Sequence, residues 1–254
     1  MITVLCATLG QRLPQGLEYL GGCELHLNGE KPWAVAANQL LDKAAERGGP
    51  ALFLDDDIEL TEYALSGLVG IFGYALNGLT GIFGPAIDTA AGALPGKQYP
   101  PAPDVVGFTL CNGAEVVSAG FAASVQADDT VTLSPVGMPY IWQPFRCAHV
   151  TASCMWLSER AVQQVRFPVW PGQHHEDVAF TLDAWLKGLT VAYVPGLVFH
   201  HMDMQQKAGA TKSTDPAFAA DRAVNAHYLQ EWIKDHDIAG ALRRGVIPMG
   251  AESL

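Results

Sequence analysis

The stretch ALFLDDDIEL at residues 51–60 limits the folds that this chain can adopt, because four apolar residues run directly into three carboxylates. A continuous apolar run of this kind is typical of a strand buried in a parallel sheet. Each like-charge pair among Asp55, Asp56 and Asp57 costs on the order of 3 kcal/mol at roughly 5 Å and an effective dielectric of about 20. Solvent around a surface turn would relieve that repulsion. A bound divalent cation would relieve it better, because hard cations prefer carboxylate oxygens.

The segments before this strand follow the order of a doubly wound α/β fold. ITVLCAT and CELHL predict strands, and PWAVAANQLLDKAAERGG predicts a helix with one apolar face made of Ala34, Ala37, Leu41 and Ala44. This order predicts a Rossmann-like, mostly parallel central sheet flanked by helices, with ligands at the carboxyl ends of the strands. The three Asp residues lie at such an end, and their position argues against a simple surface turn.

The second half of the chain predicts further strands and helices. AEVVSAGFAASVQADDTVTL predicts short strands with a turn at Asp128-Asp129, CAHVTASCMWLS predicts a strand, and ERAVQQV predicts a short helix. Gly188 closes a longer helix whose apolar stripe consists of Val178, Leu182, Trp185 and Leu189. TVAYV and LVFHH predict two more strands. Because we find neither an internal repeat nor a linker, we expect a single domain.

Composition and charge narrow the classes of function. A hydrophobic content of 49% and a charged content of 16% indicate a folded globular chain. The formal net charge of −11 disfavours a large nucleic-acid surface, although a small basic groove stays compatible with it. The five cysteines contain no CxxC pair and we recognise no signal peptide, so we expect reduced thiols in a cytoplasmic protein.

One uncharged stretch is long enough to cross a bilayer. Residues 63–87 carry no charged side chain, but six glycines and Pro85 interrupt them. We interpret this stretch as a buried helix over about 61–76, a turn at NGLTG and a strand GIFGPAI. No transmembrane segment is therefore expected.

Two further motifs are candidates for chemistry. Glu176-Asp177 stands at the start of a predicted helix, where a carboxylate is either an N-cap or a general base held ionised by the helix dipole. His200-His201 ends the last predicted strand, and because neighbouring strand residues point to opposite faces, one of the two faces the site. Asp and His together form a donor set that suits Mn²⁺ or another transition ion better than Ca²⁺.

The order of these motifs, over most of the chain, resembles a glycosyltransferase of the GT-A fold, close to the inverting enzymes of family 2. VLCATLGQR, AANQLLDKA and FLDDD resemble its first strand and loop, its first helix and its DxD motif. TASCMWLSERAVQQV resembles its acceptor-side strand and helix. HHEDVAFTLDAWLKGLTVAYVPGLVFHH resembles its ED motif and late metal-binding His, and RAVNAHYLQEWI resembles its C-terminal helix.

The resemblance implies a metal-dependent inverting transfer of a sugar from a nucleotide-sugar donor to the hydroxyl of a saccharide or another acceptor. It implies one GT-A-like domain over residues 1–254, with a nucleotide-binding half at about 1–90, an acceptor-side half at about 91–204, and a C-terminal loop and helix at 205–254. Ala37 stands where the family has Arg, and only Asn28 or Glu30 is available for the acidic residue that ends the second strand. The base of the nucleotide therefore stays open, and uridine is the commonest choice in the family.

On the donor side, the resemblance implies that Asp57, Asp55 and His200 bind Mn²⁺ or Mg²⁺, with His201 as the fallback ligand. Residues that would contact the nucleotide are Thr8, Asn38, Asp55 and Asp56. The loop MQQKAGATKST is either solvated or a lid whose Lys212 reaches the diphosphate.

On the acceptor side, the resemblance implies that Asp177 is the catalytic base and that Glu176 orients it or binds the acceptor. Trp170 either stacks on an acceptor sugar or only closes the core. His175 is a second candidate for contact with the acceptor.

Three other functions fit parts of the same pattern. A haloacid-dehalogenase-like phosphatase would use Asp55 as nucleophile and Asp57 as acid, and it would form a phosphoryl-enzyme with Mg²⁺. A metallohydrolase would hold zinc through His174, His175, His200 and His201, although the chain lacks the HExxH spacing. A sugar- or nucleotide-binding module would bind its ligand without turnover.

Overall fold

The computed structural model of the protein describes residues 2–8, 13–17, 23–29, 32–60, 103–112, 115–117, 120–136, 145–172, 174–201 and 216–253. The helix predicted at about 61–76, the strand predicted at 81–87 and the uncharged stretch 63–87 lie outside these residues. Within the described residues, no helix combines the length and the apolar character that a membrane crossing requires.

Three parallel strands form the N-terminal part of the central sheet. β1 (Ile2–Ala7) lies between β2 (Cys23–Asn28) and β3 (Ala51–Asp55), and both pairings are parallel. The last residue of β1 lies opposite the last residues of both neighbours. The carboxyl ends of the three strands therefore meet at one edge of the sheet, as the sequence predicts.

The sheet continues past β3 with one reversed strand. β11 (Cys154–Leu157) runs antiparallel between β3 and β5 (Val105–Asn112), and β12 (Val191–His201) pairs parallel with β5. Consequently β2, β1, β3, β5 and β12 point the same way, and β11 runs against them. This arrangement confirms the predicted α/β class with a mostly parallel central sheet.

Short strands complete the β-structure of the described residues. The central sheet also includes β4 (Ile58–Leu60), β6 (Glu115–Val117), β9 (Phe145–Arg146) and β13 (Glu252–Ser253). A second, antiparallel sheet has the order β10-β7-β8 and consists of β7 (Gly120–Val125), β8 (Val131–Pro135) and β10 (His149–Val150). The predicted turn at Asp128-Asp129 joins β7 to β8, and Asp129 adopts a left-handed φ of 67° there.

Five helices accompany the strands among the described residues: α1 (Trp33–Arg47), α2 (Glu159–Gln164), α3 (Glu176–Leu186), α4 (Pro216–Asp235) and α5 (Ile238–Arg243). α1 packs on β1, β2 and α2, while α3 packs on β10, β12 and α4. The predicted apolar stripe of α3 is buried, and Gly188 follows the helix with a positive φ of 71°.

An aromatic cluster connects β3 to α3. Phe53 of β3 contacts Trp33 and Phe167, with ring centroids 5.6 Å away in both cases. Phe167 stacks in turn on Phe180 of α3, with centroids 4.3 Å apart. Aromatic contacts of this kind add packing energy beyond simple burial. The cluster holds the strand that carries the Asp residues at a fixed position relative to the helix that begins at Glu176.

The last long strand was predicted as two separate strands, but the structure has one. β12 is continuous from Val191 to His201, but its pairing with β5 shifts register between Val194 and Val198. Pro195 lies within this shift and has no N–H to donate to a neighbouring strand, so an irregularity is expected there. The two predicted segments are therefore the two halves of one bulged strand.

The predicted strand CAHVTASCMWLS is broken in the middle. Its first half is β10 of the small sheet and its second half is β11 of the central sheet, with residues 151–153 between them. We call residues 151–153 the connecting turn. The prediction of one strand was wrong, because the two halves pair in different sheets and the Ala152 N–H of the turn bonds to the side chain of Asp177 on α3.

Candidate functional site

A cavity of about 630 Å³ lies at the carboxyl ends of β1, β2 and β3. Its other walls come from the connecting turn, from α4, from the starts of α1 and α3, and from β7 and β8. Its polar lining includes Thr8, Asn28, Asp55, Asp56, Asp57, His149, Thr151, Ser153, His174, His175, Glu176, Asp177, Arg222 and Gln230. Its apolar lining includes Trp33, Phe121, Val131, Leu133 and Leu229. The Asp residues after β3 and the Glu176-Asp177 pair thus face one common space.

The Asp triplet (Asp55, Asp56 and Asp57) follows directly from the buried β3. Asp57 is only 4% exposed, whereas the other two are half-buried. Thr8 at the end of β1 donates a hydrogen bond of 2.6 Å to Asp56 Oδ2 and fixes that carboxylate. Burial, reinforced by the negative charges of the triplet, raises the pKa of the nearby Cys6 thiol to about 12. The local potential is therefore negative and suited to a cation.

Asp177 is the second residue of α3 and not its N-cap. The cap position belongs to His175, which has a left-handed φ of 70° and makes no side-chain cap bond. Asp177 Oδ1 accepts a hydrogen bond of 2.9 Å from the Val178 N–H, and Oδ2 accepts one of 3.3 Å from the Ala152 N–H. The interpretation of this residue as an N-cap is wrong. The carboxylate nevertheless lies in the first turn of α3, at the positive end of the helix dipole.

The connecting turn links the two carboxylate groups of the cavity. The Ala152 N–H bonds to Asp177, and the Ser153 carbonyl accepts a hydrogen bond of 3.0 Å from the Asp55 N–H. One short backbone segment is therefore hydrogen-bonded to the last residue of β3 on one side and to the first turn of α3 on the other. The bond to Asp55 continues the pairing of β11 with β3, and the bond to Asp177 ties this end of the strand to α3. Together they fix the spacing between the triplet and Asp177.

Glu176 is buried and is held by α4. Its side chain is 3% exposed, and Asn225 of α4 donates a hydrogen bond of 3.2 Å to Glu176 Oε1. Asn225 also donates to the His174 carbonyl at 2.9 Å and accepts from the Gly172 N–H at 3.0 Å. Desolvation by burial raises the pKa of Glu176 to about 7.

We expect Glu176 to make folding stability fall as the pH rises from about 4.5 to about 7. The folded state binds the proton more tightly than the unfolded chain in this window, because burial raises the pKa of this carboxyl from 4.5 to about 7. The loss is on the order of 3 kcal/mol. Glu176→Gln stays neutral, so its free energy of unfolding, measured in urea at pH 5 and pH 8, should lack this component.

The control is Glu46→Gln, which changes an exposed carboxyl of α1. It should keep the pH dependence of the wild type. A Glu176→Gln variant whose stability changes with pH just as the wild type does would show that the buried carboxyl ionises without a folding cost.

Asn225 was not predicted as a site residue, although its helix was part of the resemblance. Its three hydrogen bonds hold Gly172, His174 and Glu176 against α4, so Asn225→Ala should destabilise the fold by about 2–4 kcal/mol. Gln230→Ala, at an exposed position of the same helix, should change stability by less than about 0.5 kcal/mol. Urea unfolding of the two variants measures the difference. Equal effects would mean that water replaces the three bonds at no cost.

His149 and Arg222 also line the cavity and were missed. His149 is a single histidine within an apolar segment, a pattern without any motif. Arg222 precedes Asn225 by three residues, which puts both on one face of α4. This spacing could have indicated in the sequence that the two residues act together. Only the packing of α4 on α3 shows that their face of the helix is turned to the cavity.

Several predicted site residues lie away from the cavity lining. Asn38 uses its amide for two hydrogen bonds of 2.8 Å to the Phe167 backbone and ties α1 to that loop. Trp170 is buried and stacks on Tyr228 with ring centroids 6.4 Å apart. These contacts give Asn38 and Trp170 structural roles, and neither residue is among those lining the cavity. Lys212 lies outside the described residues.

The pairing of β12 with β4 locates the backbone of the two histidines at the end of β12. His200 lies opposite Glu59 and His201 lies opposite Ile58, which directly follows Asp57 in the chain. The backbone at the end of β12 therefore runs beside the strand that leaves the Asp triplet. Which of the two side chains serves as a ligand stays a prediction.

The donor set of the cavity fits a cation that is shared with a ligand. Among the described residues, no three His, Cys, Asp or Glu side chains converge into a metal site. Mg²⁺ and similar hard cations are commonly held by one or two carboxylates together with substrate phosphates instead of a complete protein cage. The Asp triplet offers such carboxylates at the edge of a cavity large enough for a ligand.

Comparison with known proteins gives distant similarities to solved structures. No protein-family model and no curated protein matches the sequence. The crystal structure of A197 from STIV is similar over 77% of this chain and 83% of that chain, with 12% identity and a TM-score of 0.43. The crystal structure of GalNAc-T7 with UDP, GalNAc and Mn²⁺ is similar over 93% of this chain and 54% of that chain, with 11% identity and a TM-score of 0.45. Similarities at this level identify no family for this chain.

Proposed function

We propose that this protein is a metal-dependent glycosyltransferase of GT-A type that moves a sugar from a nucleotide-sugar donor to an acceptor hydroxyl with inversion. The observation that carries the proposal is that the Asp triplet and Asp177 line one cavity of about 630 Å³. Direct displacement of a nucleoside diphosphate needs stabilisation of the leaving group and a base for the attacking hydroxyl. The Asp triplet can hold a cation that stabilises the leaving group, and Asp177, in a separate place of the same cavity, can act as the base.

The donor is proposed to bind at the carboxyl ends of β1 to β3, the usual ligand site of open α/β sheets. Thr8 and Asp56, joined by their 2.6 Å hydrogen bond, form a fixed polar pair suited to a ribose hydroxyl. A uridine diphosphate sugar is the first donor that we expect. Lys212 remains a predicted ligand of the diphosphate.

Asp55 and Asp57 are proposed to hold Mn²⁺ or Mg²⁺ together with the donor phosphates, and His200 is the proposed third protein ligand. When bound, such a cation neutralises the negative charge that builds up on the leaving diphosphate. The burial of Asp57 and the half-burial of Asp55 favour a strong interaction, because partly buried charges are screened less by solvent and salt.

Asp177 is proposed to remove the proton of the acceptor hydroxyl. Its side chain is 24% exposed, so an acceptor can reach it. The N–H groups of Val178 and Ala152 each use one lone pair of the carboxylate and fix its plane. Further lone pairs stay available for the hydroxyl. Attack from the side opposite the leaving diphosphate inverts the configuration of the sugar.

A thermal-shift panel tests the proposal. Uridine, guanosine, thymidine and cytidine nucleotide sugars are compared, each with Mn²⁺ and with EDTA. A donor present at a hundred times its dissociation constant adds about 2.7 kcal/mol to the stability of the folded state, which is a shift of several degrees for a chain of this size. We expect such a shift with one class of nucleotide sugar and only when Mn²⁺ is present.

Other outcomes would assign a different function. Formation of a phosphoryl-enzyme at Asp55 in the presence of Mg²⁺ would indicate a phosphatase. Stoichiometric, tightly bound zinc would indicate a metallohydrolase that uses the histidines. A donor that binds but is never transferred or hydrolysed would indicate a binding module. Each of these results would overturn the proposed transfer reaction.

A further inference from the structure

His149 has no part in the proposed reaction, yet it lies beside the proposed base. It belongs to β10, is only 3% exposed and lines the cavity. Its Nδ1 is 2.8 Å from the Thr181 hydroxyl, and its Nε2 is 3.8 Å from Asp177 Oδ2. The imidazole is therefore fixed at one nitrogen, while the other nitrogen lies at the side of the base.

The hydroxyl of Thr181 determines which nitrogen carries the proton. Its Oγ1 is 3.0 Å from the carbonyl oxygens of both Asp177 and Val178, and these can only accept its single proton. When the hydroxyl gives its proton to one of these carbonyls, as threonine commonly does within a helix, Oγ1 acts as an acceptor toward His149 and Nδ1 is the donor. In a neutral imidazole this leaves Nε2 without a proton, as an acceptor.

The surroundings of His149 favour this neutral form. Desolvation by burial lowers the pKa of His149, and this effect outweighs the opposing attraction of Asp177. The ring also packs against Phe121, with centroids 5.0 Å apart. The charged imidazolium is thus disfavoured.

Asp177 Oδ2 and His149 Nε2 are two hydrogen-bond acceptors beside each other at the cavity. Their separation of 3.8 Å is too long for a hydrogen bond. A single hydroxyl carries one proton and can satisfy one of them, whereas two hydroxyls on neighbouring carbons can satisfy both. Phe121 and Leu133 give the same part of the cavity apolar surface for the carbon atoms of a ring.

Building on the proposed function, we propose that His149 Nε2 accepts a hydrogen bond from a second hydroxyl of the acceptor, adjacent to the hydroxyl that Asp177 deprotonates. The acceptor class is then a vicinal diol, such as a sugar ring, and not an isolated alcohol. His149 contacts the substrate and determines specificity, while Thr181 is a positioning residue that acts through the imidazole.

The first test concerns the proton on the imidazole and needs no substrate. Long-range ¹H–¹⁵N spectra of the full chain labelled at histidine nitrogen distinguish the two neutral tautomers. The resonances of His149 are identified by their absence in His149→Phe or, if that variant does not fold, in His149→Gln. We expect the Nδ1–H tautomer in the wild type. Thr181→Val keeps the side-chain shape but removes the hydroxyl oxygen that accepts from Nδ1. In this variant the preference for the Nδ1–H tautomer should disappear.

The second test measures acceptor choice with the donor found in the thermal-shift panel. The probes are cyclohexane-1,2-diol and cyclohexanol, which differ by one hydroxyl. We expect the wild type to prefer the diol in kcat/KM by roughly tenfold to a hundredfold. His149→Phe should lose this preference with an unchanged KM for the donor. His149→Gln, whose amide oxygen can replace Nε2 as an acceptor, should retain part of it.

The outcomes separate the two proposals. An Nε2–H tautomer, or equal use of the diol and the monoalcohol by the wild type, overturns the role of His149 and leaves the transfer reaction intact. A wild type that shows the expected tautomer but transfers sugar to no acceptor overturns the proposed function, and the role of His149 falls with it.

Discussion

Asp57→Asn should abolish the divalent-cation dependence of nucleotide-sugar binding. In the wild type, we expect removal of Mn²⁺ by EDTA to weaken donor affinity roughly a hundredfold. One unrelieved like-charge contact at roughly 5 Å costs on the order of 3 kcal/mol at an effective dielectric of about 20, which corresponds to such a factor. Asn has the volume of Asp but no charge, so the variant should bind the donor weakly and equally in Mn²⁺ and in EDTA.

Calorimetric titration of the donor into each protein measures this effect. Asp235→Asn is the matched control, because it makes the same change in net charge at an exposed position of α4 outside the cavity lining. The control should respond to Mn²⁺ as the wild type does. Because no three described side chains form a closed metal site, Mn²⁺ alone should bind weakly and the nucleotide should strengthen it. Equal donor affinity of the wild type in Mn²⁺ and in EDTA would refute any metal role for the triplet.

The parts of the fold that the sequence predicts are those with strong local patterns. The apolar run ALFL, the two strands before it and the helix between them occur within a few residues of their predicted bounds. Parallel pairing then follows from the strand–helix–strand order, and it brings the strand ends together. This is why the sequence predicts that a position after β3 lies at the edge of a cavity.

The connecting turn could not be predicted, because long-range hydrogen bonds produce it. CAHVTASCMWLS contains neither Gly nor Pro and reads locally as one strand. The Ala152 N–H in its middle bonds to the carboxylate of Asp177, while Ser153 continues the pairing of β11 with β3. Local patterns are expected to fail where a functional site imposes its own geometry. In this chain the wrong strand prediction falls on the connecting turn, which lies between the Asp triplet and Asp177.

His149 escaped prediction for a related reason. A single histidine in an apolar strand is most often a satisfied core residue, and sequence alone cannot show what its ring nitrogens meet. Its significance depends on Thr181, which lies one helical turn after Asp177 and offers its hydroxyl across the gap between α3 and β10. A contact between one helix residue and one strand residue leaves no periodic pattern in the sequence.

Asp177→Asn should lower the rate of sugar transfer by roughly two to four orders of magnitude, because it removes the carboxylate that takes the proton of the acceptor. Donor affinity should hardly change, since the proposed donor contacts lie at the Asp triplet. The expected loss of stability is on the order of 1–2 kcal/mol, as one of the two backbone N–H acceptors and the charge in the first turn of α3 are lost.

Three measurements on this one variant separate catalysis from support of the connecting turn: the melting temperature, the donor affinity and the transfer rate. A purely structural role predicts that donor affinity falls along with the rate, because the connecting turn also bonds to Asp55. A catalytic role predicts loss of rate with the donor site intact. If Asp177→Asn transfers sugar at nearly the wild-type rate, Asp177 only anchors the turn. The base must then be Glu176 or His175, which line the same cavity.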